Sequence, residues 1–558
     1  MSEKLGRLPT MLIDEINPQQ IEDEKLRALV SGLLNIIEDL RAEVKQVREE
    51  NQRLRDEINR LKGEQGKPDI KPPPAEKRNY SSEGERRGKR RQRKGRKHDQ
   101  IDIDHEIVLS VNREVLPLDA QFKGYEPHIV QDIVVRTDNT RFQREKFYSA
   151  SQRKTYLAAL PPGYEGEFGP TIRAQVLMLY YAGNMTQPRV HDWLKQVGVR
   201  ISSGQIGRWL IHDQDAFHNE EAAAYHASLA ECPWQHIDDT GTRVDGVNHF
   251  CHIVTSPLAM HYHTQPSKSR LSVLEVLQNH TSGRFLLNEQ ALTLMEYWHI
   301  PERYLWQLET HFPREEHAQA FTQAWMTTHL ATLSETHQRR ILDALAIAAY
   351  QAQTDIPIVR LLISDDAPQF QAITQARALC WIHEGRHYKK LTPTLPHHHR
   401  LQQHFLRAFW RYYDRLKRYR QQPTPHMAHR LSHQFDRLFA LRTGYAALDR
   451  LIARTQAHKQ DLLQVLAHPE IELHNNPAEL GARRRVRKRH ISFGPRSDAG
   501  RRAWDTFMSL AGTTHLLGIS FFHYLKDRLM RRGDIPSLPD LIRQRATDLN
   551  LAYSWNTP

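Results

Sequence analysis

The chain has 558 residues, with 78 Lys or Arg against 65 Asp or Glu and a formal net charge of +13, giving a pI near 9.5. That length exceeds one core, so three or more structural units are expected, and the basic excess favours a polyanionic partner. Three cysteines (Cys232, Cys251, Cys380) exclude a disulfide framework and fit a reducing cytoplasm. A polar N-terminus and no apolar run of about 18 residues predict neither export signal nor membrane span.

Between residues 26 and 61 apolar residues recur at spacings of three and four. Val30, Ile37, Val44, Asn51 and Ile58 take heptad position a; Leu26, Leu33, Leu40, Val47, Leu54 and Leu61 take position d. β-branched residues at a with Leu mostly at d favour a parallel two-stranded coiled coil, and one Asn at a fixes its register. Glu43, Glu50 and Glu57 at g would face Arg48, Arg55 and Lys62 at the following e positions of a second copy. Leu29, Leu34 and Ile36 widen the apolar face, so a homodimer or higher oligomer is expected. The competing possibility is an amphipathic helix folded back on its own chain.

After Gly63 the composition is that of a disordered linker. It leads into nine basic residues within twelve positions: Arg86, Arg87, Lys89, Arg90, Arg91, Arg93, Lys94, Arg96 and Lys97. Like charges at that density suit phosphate binding without sequence choice. Residues 106–160 alternate weakly and read as a small β-rich unit. From Thr171 the period becomes helical: one helix ends at Gly183, a second runs from Pro188 to Gly198, and Ser202 or Ser203 caps a third. Two short helices, a glycine turn and a third helix fit a helix-turn-helix, with Gln205 and Arg208 facing bases or phosphates. Plain three-helix packing fits equally.

WQHIDDTGTRV, NHFCHIVTS and MHYHT read as three antiparallel strands, with turns at residues 240–246 and at Ser256-Pro257. Asp238 would lie on the central strand, and Asp239 would face away from it by the period of two. A helical insertion follows at about 271–352. IVRLLISDDAPQF then matches a parallel strand buried on both faces, with Asp365 or Asp366 at its carboxyl end and Asp365 favoured. In ALCWIHEGRHYKKL, Cys380 is expected to pack and His383 to support a site by hydrogen bonding, because a structural zinc needs four ligands. The triplet His397 to His399 reads as a loop, and a second helical insertion covers about 401–466.

In HNNPAELGARRRVRKRHISFGPRSDAG, Asn475 and Asn476 precede a Pro suited to a first helical turn. Glu479 follows early on that helix, then Arg483, Arg484, Arg485, Arg487, Lys488 and Arg489. Carboxylates on two strands and a helix, Asp238, Asp365 and Glu479, can converge on two Mg²⁺ ions about 3.5–4 Å apart, with Mn²⁺ able to substitute. The basic run would grip phosphates on either side of a scissile bond.

HIDDTGT, SDDAPQF, ALCWIHEGRHYKKL and the HNNPAELGARRR segment, in that order, resemble the DDE transposases of bacterial insertion sequences, of the insertion-sequence-sixty-six type. The most specific parts are Cys380 to His383 and Asn475 to Glu479. The resemblance implies a catalytic triad of Asp238, Asp365 and Glu479, double-stranded DNA as partner at element ends and target, small accessory transposition proteins, and a cytoplasmic, nucleoid-associated bacterial setting. Asp239, Asp366 and Leu480 stand where the family commonly has Glu, Gly and Arg. No cysteine precedes Cys232, so no zinc is expected. The 127 residues from Asp238 to Asp365 are long for the family pattern, which points to a divergent first insertion.

The expected fold is therefore multi-domain and mainly α with an α/β core. It comprises a coiled-coil helix (1–63), a basic linker (64–105), the β-rich unit (106–160), a helix-turn-helix-like DNA-binding domain (161–228), a ribonuclease-H-like catalytic domain with its insertions (229–515) and a C-terminal helical segment (516–558). The expected activity is metal-dependent strand cleavage and strand transfer. Its rivals are a non-integrating nuclease of the same fold and a coiled-coil DNA-binding regulator.

Overall fold

The computed structural model describes residues 13, 16–61 and 101–555, apart from 113, 115, 118, 119, 165 and 280–282. The basic run at residues 86–97 lies outside the described residues, as do the side chains of Ile58 and Leu61.

Helix α1, Glu24–Leu61, begins where Asp23 accepts the Leu26 N–H at 2.8 Å. One face docks on its own chain. Leu34 and Glu38 are buried there, and Asn35 donates to the Gly444 carbonyl and accepts the Ala446 N–H, both at 2.9 Å. The opposite face is bare: Leu26, Leu29, Leu33, Ile36, Leu40, Val44, Val47 and Leu54 are 49–60% exposed. Val30 and Ile37 turn partly inward. The open seam in the first half of the helix therefore runs through Leu29 and Ile36 instead of those two a positions.

Residues 106–160 depart from expectation. The one hairpin among the described residues there is β1, Lys146–Ser149, with β2, Lys154–Leu157. Upstream, Ile107, Leu109 and Val134 are 79–85% exposed. Alternation makes a strand only where a partner and a covered face exist, and this segment has neither.

Helix α2, Pro170–Leu177, runs on as a π-helical turn to Ala182 and ends at Gly183. It is followed by α3, Gln187–Gln196, and α4, Ser203–Ile211, whose N-cap Ser202 accepts the Gln205 N–H at 3.1 Å. Helix α5 is Asp215–Glu231.

The sheet starts with β3, Trp234–Val244, β4, Val247–Thr255, and β5, Met260–Gln265, an antiparallel meander. Strand β3 continues past the expected turn at Thr240. The reversal is a two-residue Asp245-Gly246 turn with both residues at positive φ, the hairpin geometry that Asp-Gly favours.

The first insertion holds α6, Arg270–Leu277, a short pair β6, Arg284–Phe285, and β7, His317–Ala318, and helices α7, Glu289–Tyr297, α8, Glu302–His311, α9, Gln319–His329, and α10, Glu335–Ala352. Then β8, Leu361–Ser364, and β9, Ala376–Leu379, join parallel to β3, giving the spatial order β5-β4-β3-β8-β9. Leu362 packs on the face covered by α10, while Leu361 and Ile363 pack on the other. A continuous apolar run is what such a two-sided strand requires.

The second face is covered by α11, Trp381–Lys390, α12, Pro396–Gln421, α13, Pro425–Phe439, α14, Ala446–Ala457, and α15, Lys459–Leu462. His397 to His399, expected in a loop, form the first turn of α12. That turn has no local side-chain cap; instead Glu38 of α1 accepts from Thr394 N, from Leu395 N at 3.0 Å and from His398 Nδ1 at 2.9 Å. Helix α16, Asn476–Ser492, and α17, Asp498–Leu516, lie over β4 and β5.

The chain finishes with α18, Phe521–Met530, and α19, Leu538–Leu549. These share one core with α2–α5, through residues such as Tyr181, Phe217, Phe507, Tyr524 and Ile542. Arg528 forks onto the Glu220 carboxylate at 2.8 and 2.9 Å, fixing α18 against α5. The 161–228 helices and the C-terminal segment thus pack as one body. No described helix is long and apolar enough to cross a membrane.

Candidate active site

The parallel register between β3 and β8 pairs His236 with Ile363. Two residues on from that pair stand Asp238, still within β3, and Asp365, the first residue past β8, whose charge bears on Asp238. Asp238 lies on the central strand and accepts the Asp239 N–H at 2.9 Å. Burial, reinforced by the charges of Asp365, Asp239 and Glu479, pushes its carboxyl up to about 7. Asp365 Oδ1 accepts the Ala367 N–H at 3.1 Å. Asp239 is held by the Gln369 amide at 2.8 Å.

Asp366 is already engaged. Arg454 reaches it at 2.7 Å, Arg377 at 3.2 Å and His458 at 3.3 Å. Burial opposes its charge, yet hydrogen bonds from His458 and Arg454 outweigh that and hold the carboxyl well below the usual range. Of the two neighbours, Asp365 is the one left open toward Asp238.

Glu479 arrives from the other side, on the first turn of α16. The segment before it is strapped to the sheet. Asn475 donates its amide to the Ile237 carbonyl at 2.6 Å, its Oδ1 lies 3.2 Å from His236 Nδ1, and its backbone N–H donates to Cys380 Sγ at 3.2 Å. His236 Nε2 also meets Glu472 at 3.0 Å. Asn476 opens the helix nearly buried. Gly481 lets α16 press flat: a Cβ there would lie 2.6 Å from Ile253 Cγ2 and 3.3 Å from Met260 sulfur.

The Glu479 side chain is nearly buried. Its Oε2 lies 3.3 Å from Arg386 and 3.7 Å from Arg483. Its Oε1 has no hydrogen-bond donor and sits 3.7 Å from His383 Nδ1, itself unpartnered. Arg386 also donates to His383 Nε2 at 2.9 Å, which leaves the neutral ring's proton on Nδ1, facing Glu479. Burial lowers the His383 pKa, against the pull of Glu479. A buried carboxylate oxygen without a donor, with an aspartate nearby whose carboxyl is pushed up by burial and then by like-charged neighbours, leaves room for added positive charge. Hard divalent cations with oxygen ligands fit it.

Cys380, His383 and Glu479 bring a thiol, an imidazole and a carboxylate within 4.8 Å of one another. Burial pushes the Cys380 thiol up to about 11, and its sulfur already accepts from Asn475. Three groups fall short of the four ligands that close a tetrahedral zinc site. The sulfur anchors the helix start, and Trp381 beside it packs among Phe409, Tyr412 and Phe435.

The basic run on α16 does not act as one surface. Arg485 is fully buried, donating to Thr264 Oγ1 at 2.8 Å and pairing with Asp505 at 3.2 Å. Lys488 is buried too, donating to the Tyr180 carbonyl with its Nζ 3.4 Å from that ring's centroid. Both were expected on DNA; both are interior pins. Arg483 and Arg487 are exposed, whereas Arg484 and Arg489 are half-buried and Arg489 donates to the Gly241 carbonyl. The helical period carried the signal, since Ala478, Gly481, Ala482, Arg485 and Lys488 form one inward stripe. Arg386, which sequence reasoning missed, lies one turn past His383 on α11.

In the helix-turn-helix candidate, the Gln187 amide donates to the Ser203 carbonyl at 2.8 Å, fixing α3 against α4. Gln205 is half-buried, and the exposed Arg208 lies 3.5 Å from Asp213.

The family model described as "Transposase IS66 family" matches residues 165–287 and 315–503. The unmatched stretch between them carries α7 and α8. The "Uncharacterized protein y4jO" of Sinorhizobium fredii is 33% identical over 322 residues, covering 58% of this chain and 99% of that protein. No solved structure matches the chain.

Proposed function

The chain belongs to the IS66 transposase family, and we propose that it cuts and joins DNA at insertion-sequence ends through Asp238, Asp365 and Glu479. The observation that carries this reading is that the charges of Asp365, past the end of β8, and Glu479, on the first turn of α16, both bear on the buried Asp238 of β3, with Glu479 Oε1 left without a donor. We read the mixed sheet as ribonuclease-H-like on the same ground.

Two Mg²⁺ ions, or Mn²⁺, held by these carboxylates would offset charge on the scissile phosphate and make water and a 3′-hydroxyl nucleophilic at neutral pH. The protein's own groups do the positioning. Asn475 and Cys380 fix the start of α16 against β3. Arg386 and His383 aim the Glu479 carboxylate. Arg454, Arg377 and His458 neutralise Asp366, leaving Asp365 to complete the cluster. Arg483 and Arg487, with the partly exposed Arg484 and Arg489, would contact backbone phosphates beside the cut. Residues 86–97 would add sequence-independent affinity, and Gln205 and Arg208 would contribute on α4. The open stripe of α1 would pair with a second copy, so that one complex holds two element ends.

The test is cleavage of a supercoiled plasmid carrying the element's ends, with Mg²⁺ or Mn²⁺ and any accessory proteins. Asp238→Asn, Asp365→Asn and Glu479→Gln should each abolish cleavage while DNA binding persists. Wild type that binds but never cuts would hand the case to the regulator reading. Retained cleavage in any one variant would remove that residue from the triad.

A further inference from the structure

The two helical insertions carry opposite charge. Residues 271–352 hold five Arg against nine Asp or Glu, whereas residues 396–466 hold thirteen Arg or Lys against four Asp and no Glu. Residues 396–466, the second insertion with the first turn of α12, therefore account for +9 of the chain's +13.

Much of that charge lies along one line of α12. Arg400, His404, Arg407, Arg411, Arg415 and Arg418 are all exposed, and at 3.6 residues per turn they fall within a sector of about 80°. The inner face of the same helix is pinned to the core. Phe405, Phe409, Trp410 and Leu416 are buried, and Gly385 of α11 brings the two helices so close that a Cβ there would lie 2.5 Å from the Trp410 ring. The ridge is thus built on a rigid element and cannot turn away.

The arginines of this ridge are not neutralised. Arg411 donates to the Arg407 carbonyl at 3.3 Å, Arg415 to the Gln434 amide oxygen at 2.8 Å and Arg418 to the Asp414 carbonyl at 3.4 Å. Among the described residues no carboxylate pairs with any of the five. Asp414, on the same helix, is 3.4 Å from Lys417.

We infer that this face of α12 is a second DNA-contact surface, separate from the carboxylate cluster, that binds the phosphate backbone of duplex DNA without reading sequence. From Arg400 to Arg418 the ridge spans about 27 Å, or about eight base pairs at 3.4 Å each. Five guanidiniums along one line of a helix, spaced over its length and interrupted only by His404, suit backbone contact. The inference rests on the proposal that the chain works on DNA and adds where a length of duplex away from the cut is held.

The experiment is equilibrium binding of the full-length protein to a duplex of unrelated sequence over a range of salt. Each phosphate contact contributes about 0.9 to the slope of log affinity against log salt. Arg407→Gln/Arg411→Gln/Arg415→Gln should flatten that slope by about 3, with an unchanged thermal midpoint showing that the helix still packs. The matched triple Arg303→Gln/Arg314→Gln/Arg339→Gln, on the acidic insertion, should keep the wild-type slope. A ridge variant with wild-type slope and affinity overturns the inference, as does an equal loss in the matched triple; the reading of the chain as a transposase survives either result. Wild type without salt-dependent binding would overturn both.

Discussion

The side-chain amide of Asn475 donates to the backbone carbonyl of Ile237 at 2.6 Å. One residue on from Ile237 is Asp238; four on from Asn475 is Glu479. A single amide therefore couples the strand that carries one acid to the helix that carries another, and the same amide's oxygen faces His236.

Asn475→Ala should remove the side-chain partner of the buried Ile237 carbonyl and of His236 Nδ1, whose ring keeps Glu472 on Nε2, costing about 1–3 kcal/mol for each group left unsatisfied. Cleavage should fall further than DNA binding, since the triad is displaced and the basic surfaces are not. Denaturant unfolding and plasmid cleavage, measured together, would expose a silent substitution.

Gly481→Ala should wedge α16 off β4, because the added carbon meets Ile253 Cγ2 at 2.6 Å. Overpacking of this kind costs about 1–3 kcal/mol. Adding Ile253→Ala removes the clashing atom, so the double variant should recover part of the lost melting temperature. Simple additivity of the two changes would speak against the contact.

Arg485→Met should destabilise the fold by about 1–3 kcal/mol, since the buried Asp505 loses one charged partner but keeps Arg501 at 3.5 Å. Arg487→Gln, on the open side of the same helix, should leave stability within about 0.5 kcal/mol and weaken DNA binding instead. The two readouts should separate cleanly, and an Arg485 variant of normal stability would contradict its role as a pin.

Burial, together with the charge of Arg485, lowers the Lys488 amine to about 7. Unfolded, a lysine keeps its proton to about 10.4. Between those values unfolding takes up a proton, so this residue makes the native state more stable as pH rises through that window and contributes no slope below it. Lys488→Met should remove that rise. Thermal midpoints at pH 6.5, 8 and 9.5 for both proteins would test it, and parallel profiles would rule it out.

If α1 pairs with a second copy as proposed, Leu33→Asn/Leu40→Asn should convert that dimer to a monomer in sedimentation experiments without loosening α1 from its own chain, since both residues lie on the open face. Unchanged mass would assign the stripe to another partner.

Sequence periodicity read well wherever one rule governed a segment. The heptads gave α1, the alternating and continuous apolar runs gave β3–β5 and β8, and Asn475-Asn476-Pro477 gave the start of α16. It failed where distant parts of the chain decide. His397 to His399 looked like a loop because their helix cap, Glu38, lies in α1, far away in sequence. Arg485 and Lys488 looked like DNA ligands because their partners, Asp505 and Tyr180, come from two other segments. Residues 106–145 alternate without a covered face, so the pattern had nothing to act on. The break between the 161–228 helices and the C-terminal segment dissolved because Glu220 and Arg528 pair across it.

The bond between Glu38 and His398 joins residues 360 positions apart. At a synthesis rate of about 5–20 residues per second, the earlier partner leaves the ribosome about 20–70 s before the later one exists. Throughout that interval both sides of α1 are bare, the side that will seat on α12 and the side that stays open. A neighbouring chain growing on the same message presents an identical helix at that moment. On the proposed pairing of α1 with a second copy, the order of synthesis would favour assembly between chains before attachment within one, and the rest of each chain would fold around an already joined stem.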